Sequence, residues 1–304
     1  MNERPRVTVV GSLHYDIMVQ TPYLPRTGET LIGDAWWWKP GGKGGNQAMA
    51  AARHGADVEM IGCLGDDGFG DRLRVRLEGA GVGLDRIRTV KQGSGMSVAL
   101  QQADGDYAAV VVSGANRDID EAQVEASHDT ITGSGVLILQ NEVAEAANVA
   151  AARLAHRAGV MVIHNAAPAR AQGMLGGLVD VLVVNTVETE QLGAGFVDDL
   201  ASSARAASAL RTMAPSVVVT AGAAGVAAAT ADASIEMPSH PVARPETHGA
   251  GDVFVGALGS RLAAGEPLAE ALRYANAAAA LHVGTPEPER DAIGLADVRR
   301  LLEG

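Results

Sequence analysis

The sequence predicts an α/β protein: a doubly wound parallel sheet flanked by helices, with a small β-sheet set beside it as a lid. Three observations carry this. From Gly135 onward, strand-like and helix-like stretches alternate, which implies right-handed βαβ units. Strand runs such as Val181-Leu182-Val183-Val184 are apolar throughout, as expected of strands buried on both faces. Two β-rich stretches, 14–40 and 97–112, interrupt the alternation and supply the small sheet. The large domain is then assigned to 1–13, 41–96 and 113–304, and the lid to 14–40 and 97–112.

Taken in order, Val7 to Val10 is a β-branched run ended by Gly11, read as a buried first strand. His14, Tyr15 and Asp16 follow directly, beyond the strand end where such sheets gather ligands. Residues 14–40 are punctuated by Pro22, Pro25, Gly28 and Gly33 and show no helical period, so they read as extended. Trp36-Trp37-Trp38 cannot all face one side of a strand, and a second subunit covering one face is the favoured explanation. A glycine-dense segment, Gly41 to Gly45 with Lys43, leads into an Ala-rich helix from Ala48 to His54. Val58 to Ile61 reads as a strand and Leu73 to Leu77 as a helix that ends by Gly79 to Gly83. Ser97 to Gln102 and Tyr107 to Val112 flank Ala103-Asp104-Gly105-Asp106, a hairpin signal. Then come strand 135–140, helix 145–158, strand 160–164, helix 171–177, strand 180–184, helix 199–213 and strand 216–220. A helix from Val253 to Leu262 follows His248-Gly249-Ala250-Gly251-Asp252.

Composition narrows the function. The 304 residues are 47% hydrophobic but only 3% aromatic, an ordinary water-soluble composition whose core is built from Val, Leu, Ile and Ala. A formal net charge of −12 argues against nucleic-acid and anionic-membrane partners, both of which need a basic face. Cys63 is the single cysteine, and the opening residues lead into the first strand without an apolar signal core. Both point to the cytoplasm. No stretch approaches ~20 uninterrupted apolar residues, so no membrane span is expected. The eight histidines show neither H-E-x-x-H nor Cys/His spacing, so no transition-metal site is expected.

The segment His248 to Asp252 draws the most attention. Its glycines let a ligand approach the backbone, and a helix N-terminus with bare N–H groups binds anions. Asp252 would sit beside that anion, where a carboxylate is tolerated only if it has a task such as taking a proton. Read alone, the segment is equally a tight turn with a helix cap. The Gly41–Gly45 segment is not a Walker loop, because Lys43 is followed by glycine rather than Ser or Thr. Polar residues also cluster at strand ends: Asn141-Glu142, Asn165, Asn185 with Glu188, and Thr220 with Gly222 and Gly225.

Together, GSLHYD at 11–16, GGKGGNQA at 41–48, GDDGFG at 65–70, NAAPAR at 165–170, NTVETE at 185–190, TAGAAGV at 220–226 and HGAGDVFVGAL at 248–258 resemble the ribokinase (PfkB) family of ATP-dependent sugar and nucleoside kinases. The resemblance covers nearly the whole chain in order, and the glycine-rich segment is most similar to that of ribokinases. It implies a ribokinase-like fold and transfer of the γ-phosphoryl of ATP to a primary hydroxyl of a furanose-like sugar. By the same resemblance Asp252 is the catalytic base, and the amides of Gly249, Ala250 and Gly251 form the anion hole. His14, Asp16, Gly42, Lys43, Asn46 and Glu142 fall at sugar-binding positions. Asn185, Thr220, Gly222, Gly225 and Asn276 fall at nucleotide-binding positions, and Glu188 at that of a Mg²⁺ organiser acting through water. A homodimer through the lid fits the tryptophans.

The chain departs from the family pattern at three places. His14 replaces an asparagine, which opens the pocket to a bulkier or anionic acceptor. Glu246 stands where an aspartate serving an activating K⁺ is usual, and Val283-Gly284-Thr285-Pro286-Glu287-Pro288 replaces a loop of small residues. Potassium activation is therefore an open expectation. Nucleoside, ketose and sugar-acid kinases remain alternatives within the family, and a sugar-binding homologue without turnover is the alternative outside enzymes.

Overall fold

The computed structural model describes residues 4–102, 107–170, 175–242 and 248–303. Its large sheet begins with β1 (Arg6–Val10), which pairs in parallel with β4 (Asp57–Gly65) on one side and β9 (Val136–Gln140) on the other. β9 continues in parallel to β10 (Met161–Asn165), β11 (Val181–Asn185) and β12 (Ser216–Thr220). Two antiparallel strands, β13 (Val226–Ala229) and β14 (Ser234–Met237), close that edge. The short strands β5 (Val82–Gly83) and β6 (Ile87–Val90) both pair with β4.

Alternating side chains of the central strands feed two cores. Val7, Val9, Val136 and Ile138 pack with α1 (Lys43–Arg53), α8 (Ala250–Ala263) and α9 (Leu268–Gly284). Val10, Leu137 and Leu139 pack on the other side with α4 (His128–Thr132), α5 (Glu145–Ala158) and α7 (Leu200–Ala209). Helices thus cover both faces, as parallel sheets require. The remaining helices are α2 (Gly68–Gly79), α3 (Glu121–Ala126), α6 (Thr186–Gln191) and α10 (Leu295–Glu303).

The small sheet runs in the order β3 (Ala35–Gly41), β2 (His14–Gln20), β7 (Gly95–Gln101), β8 (Tyr107–Val112). Both segments expected to be extended contribute to it, although β7 starts two residues earlier than the sequence suggested. The expected hairpin turn at 103–106 lies outside the described residues. The crossing points between the sheets are pinned. Asn116 accepts from the Leu13 N–H at 2.8 Å and donates to the carbonyls of Leu13 and Ser113, tying one crossing to the other. Asp67, which caps α2, accepts from the N–H and hydroxyl of Ser94, each at 2.7 Å.

Trp38 and Phe69 both stack on Tyr15, with ring centroids 4.6 Å and 4.3 Å from the Tyr15 ring, and Arg72 donates to the Tyr15 hydroxyl at 2.8 Å. This cluster roots the small sheet on α2. Trp36 shares the face of Trp38 but is 68% exposed, and Val110 of β8, in register on the same face, is 69% exposed.

Several boundaries differ from the sequence reading. α1 begins at Lys43 rather than Ala48, so Gly44 and Gly45 form its first turn. Glycine is required at 44 because a Cβ there would lie 2.6 Å from the backbone of Gly11 and Ser12. α2 starts at Gly68 because Asp67 accepts from the N–H groups of Phe69 and Gly70. Of the helix expected over 171–177, residues 171–174 lie outside the described residues and 175–177 form a turn.

α1 and α8 cross at very short range. A Cβ on Gly256 would lie 2.4 Å from the Gln47 carbonyl and 2.6 Å from the Ala50 Cβ. Below the crossing, Arg261 and Ser260 of α8 donate to the His54 carbonyl at 2.7 and 2.8 Å, while the His54 ring meets the Tyr274 hydroxyl at 2.9 Å. Gly256→Ala should therefore force the helices apart and cost about 1–3 kcal/mol of stability. Urea unfolding measures this, and an unchanged midpoint would contradict the close crossing.

Candidate active site

The N-termini of α1 and α8 meet at the C-terminal ends of the parallel strands, where open α/β sheets bind ligands. The two ends are finished differently. At α1, the Lys43 N–H donates to Glu142 Oε2 at 2.9 Å and the Gly45 N–H to the Ser12 carbonyl at 2.9 Å. Ser12 also donates its hydroxyl to Glu142. That terminus is therefore capped by the protein's own carboxylate. At α8, Gly249 is the N-cap in the left-handed region, φ 79°, and among the described residues no side chain caps the helix. The first-turn N–H groups of Ala250, Gly251 and Asp252 have no acceptor within the helix geometry. An anion attracted to this cleft is directed to α8.

Asp252 lies in that first turn, with its side chain turned toward α1. Asn46 donates to Asp252 Oδ2 at 3.1 Å and Gln47 to Oδ1 at 3.0 Å. Gln47 has the same Nε2 within 3.0 Å of Asn165 Oδ1 and accepts from Gln140 at 2.8 Å, while Asn165 donates to the Val183 carbonyl at 3.2 Å. A chain of amides from α1, β9 and β10 thus holds the carboxylate. Burial pushes the Asp252 carboxyl above the usual carboxylate range, opposed by the Lys43 ammonium and by the Asn46 and Gln47 hydrogen bonds. Such a group is a better proton acceptor than an exposed aspartate, and it is held in one orientation.

On the small sheet, Asp16 accepts from the Ser97 hydroxyl at 2.6 Å. His14 is on the same face of β2, but it is only 5% exposed and its Nε2 has no hydrogen-bond partner among the described residues. Gly42, the N-cap of α1, joins β3 to Lys43.

The remaining candidates follow β11 and β12. Asn185 and Glu188 form a reciprocal capping box on α6: Asn185 Oδ1 accepts from the Glu188 N–H at 2.9 Å, and Glu188 Oε2 from the Asn185 N–H at 2.8 Å. Burial raises the Glu188 carboxyl, and Lys43 acts on it in the opposite sense, as it does on Asp252. Lys43 therefore stands electrostatically between the two carboxylates. Thr220 ends β12 and donates to the Val184 carbonyl at 3.4 Å. Gly222 opens a 3₁₀ turn, and Gly225 has φ 113° with the Met237 carbonyl 2.1 Å from where a Cβ would stand. Asn276 on α9 donates to the Pro238 carbonyl at 2.8 Å, so it and Gly225 both abut the segment after β14. Glu246 lies outside the described residues.

Gln47, Gln140, Ser12 and Ser97 were not among the residues assigned from sequence, and Asn165 was noted there only as a polar residue at a strand end. The available signal was Gln47 itself, a polar residue directly after Asn46 that leads a run of buried alanines.

The model for pfkB family carbohydrate kinases matches residues 4–292. The chain is 35% identical over 283 residues to the ribokinase of Haemophilus influenzae, covering 92% of each chain. It is 33% identical over 277 residues to that of Bacillus subtilis, covering 91% of this chain and 92% of the relative. Among solved structures, Arabidopsis thaliana ribokinase complexed with ribose and ATP superposes with a TM-score of 0.90 at 28% identity, covering 99% of this chain and 100% of the other. Ribokinase from Thermotoga maritima gives 0.87 at 27% identity, covering 98% and 99%. With the fold, the carboxylate and the open helix end already in place, these matches establish that the chain belongs to the pfkB family of carbohydrate kinases and is an ATP-dependent sugar kinase.

Proposed function

We propose that the protein transfers the γ-phosphoryl group of ATP to the primary hydroxyl of a furanose, with ribose as the leading acceptor. The observation that carries this reading is the pairing of Asp252, fixed by Asn46 and Gln47, with the uncapped first turn of α8. Ribose is favoured by the ribokinases among the relatives and by the ribose in the complex with the highest-scoring fold match quoted above.

Phosphoryl transfer needs an aligned acceptor and neutralised equatorial oxygens, with little covalent assistance. Asp252 accepts the hydrogen bond of the acceptor hydroxyl and takes its proton as the new P–O bond forms. The amides of Gly249, Ala250 and Gly251 meet the charge on the transferring group, an interaction already oriented before the reaction. Lys43 offsets charge between the nucleotide and sugar ends. His14, Asp16, Gly42, Lys43, Asn46 and Glu142 hold the sugar. Asn185, Thr220, Gly222, Gly225 and Asn276 border the nucleotide.

Mg²⁺ arrives with the nucleotide. Glu188 would hold it through water, because its buried carboxyl would gain from a nearby cation, and the ion would supply positive charge against the phosphates. Potassium activation is the open part of this reading, because Glu246 replaces the family's aspartate and the stretch from Val283 to Pro288 replaces its loop of small residues.

The small sheet, 14–40 and 97–112, serves as a lid on the large domain formed by 1–13, 41–96 and 113–304. Its exposed Trp36 and Val110 favour a homodimer through the lid. The reading places the enzyme in the cytoplasm. Buried Cys63 agrees with this, and among the described residues no helix is long and apolar enough to cross a membrane.

Asp252→Asn should lower turnover ~10²-fold or more while sugar and ATP binding are kept. Coupled ADP release across pentoses, hexoses, ketoses, sugar acids and nucleosides measures it, and near-normal turnover in the variant would remove Asp252 from the chemistry. The same assay with Na⁺ in place of K⁺ decides the potassium question, since equal rates exclude activation. Light scattering of the Trp36→Ala variant should report a loss of dimer, and an unchanged mass would contradict lid-to-lid association.

A further inference from the structure

We propose that His282, near the end of α9, is a positioning residue that holds the anion hole in its working orientation. His282 Nε2 lies 2.9 Å from the His248 carbonyl oxygen. A carbonyl only accepts, so Nε2 must carry the proton and donate it. The same nitrogen lies 3.3 Å from where a Cβ on Gly249 would stand, which puts the imidazole directly against the turn that opens α8.

The turn needs such a restraint. Gly249 has φ 79°, a conformation glycine adopts freely, but glycine reaches the mirror region about as easily. The 248–249 peptide could therefore rotate, and among the described residues no side-chain cap on α8 prevents it. Rotation would redirect the Gly249 N–H, and the change in Gly249 φ would alter how the chain enters the first turn. The bond from His282 fixes the carbonyl side of that peptide and so fixes its N–H side as well.

The support comes from α9 rather than from α8 itself. Just past the helix end, Arg290 is buried and donates from Nε to the Thr285 carbonyl at 2.9 Å, anchoring the segment that follows His282. Burial lowers the His282 pKa, opposed by the hydrogen bond to the His248 carbonyl, with the nearby Arg290 and Arg53 charges acting in the same direction as burial. His282 does not touch the reacting atoms. It acts through the peptide that presents the amides.

This inference rests on the phosphotransfer reading, and the two fail separately. An active Asp252→Asn variant defeats that reading, whereas an inactive one with a fully active His282→Leu defeats only the role of His282. Because the anion hole meets the transferring group, His282→Leu should lower kcat about tenfold while leaving the KM for sugar and the affinity for ADP within about twofold. His282→Gln, whose amide nitrogen can take the place of Nε2, should recover most of the lost turnover. If the Leu variant does not fold, His282→Asn is read in the same way, its amide being too short to reach the carbonyl. Wild-type kcat in the Leu or Asn variant overturns the proposal. So does a Gln variant as impaired as they are, or a loss that appears in ADP affinity and sugar KM instead of kcat.

Discussion

The near-contact of α1 and α8 at Gly256 is the constraint on which the site depends. With the Gln47 carbonyl and the Ala50 Cβ against its backbone, α8 can bring Asp252 within hydrogen-bonding distance of Asn46 and Gln47. A larger residue at 256 would separate the carboxylate from its donors before it disturbed anything nearer the chemistry. Packing and the proposed function are one requirement here, because the residues that cross the helices also orient the Asp252 carboxylate. The buried group around His54, Arg261 and Tyr274 secures the opposite end of the same pair.

The crossing brings together two helix N-termini that have been finished in opposite ways. Glu142 and Ser12 occupy the start of α1, while the start of α8 is left open. Two equally open termini would compete for the same phosphate, whereas one capped and one open terminus give it a single destination. Lys43, at the capped end, acts on both Asp252 and Glu188 and lowers the cost of keeping two buried carboxylates near a polyanion.

Much of this was legible in the residues. The alternation after Gly135 and the apolar strands gave the large sheet, and the punctuated stretches gave the small one. The recurring motifs at strand ends led to the carboxylate and the open helix end. What escaped depends on tertiary contact. Glycine at 44 reads as a loop former, yet it lies in a helix, and it is glycine because the Gly11–Ser12 backbone leaves no room for a side chain. Gln47, Gln140 and Asn165 come from distant parts of the chain, and only the fold makes them one hydrogen-bonded series. The long helix α9 was available in the alanines from 277 to 280, strong helix formers, but its contribution through His282 depends on α9 lying beside α8. Strand alternation puts Trp36 and Trp38 on one face and Trp37 on the other, but of the first two Trp38 is covered within the chain and Trp36 is left outside.

The central claim is that a buried, amide-held Asp252 serves the acceptor hydroxyl. The pH dependence of kcat/KM for the sugar tests it most directly, because it reports the free enzyme's essential groups. Activity should fall on the acid side with a midpoint above the ordinary aspartate value of about 3.9. In Gln47→Leu the midpoint should rise further, since the amide stabilises the ionised form of Asp252. An acid limb at the ordinary value, or one that Gln47→Leu leaves in place, would contradict the account.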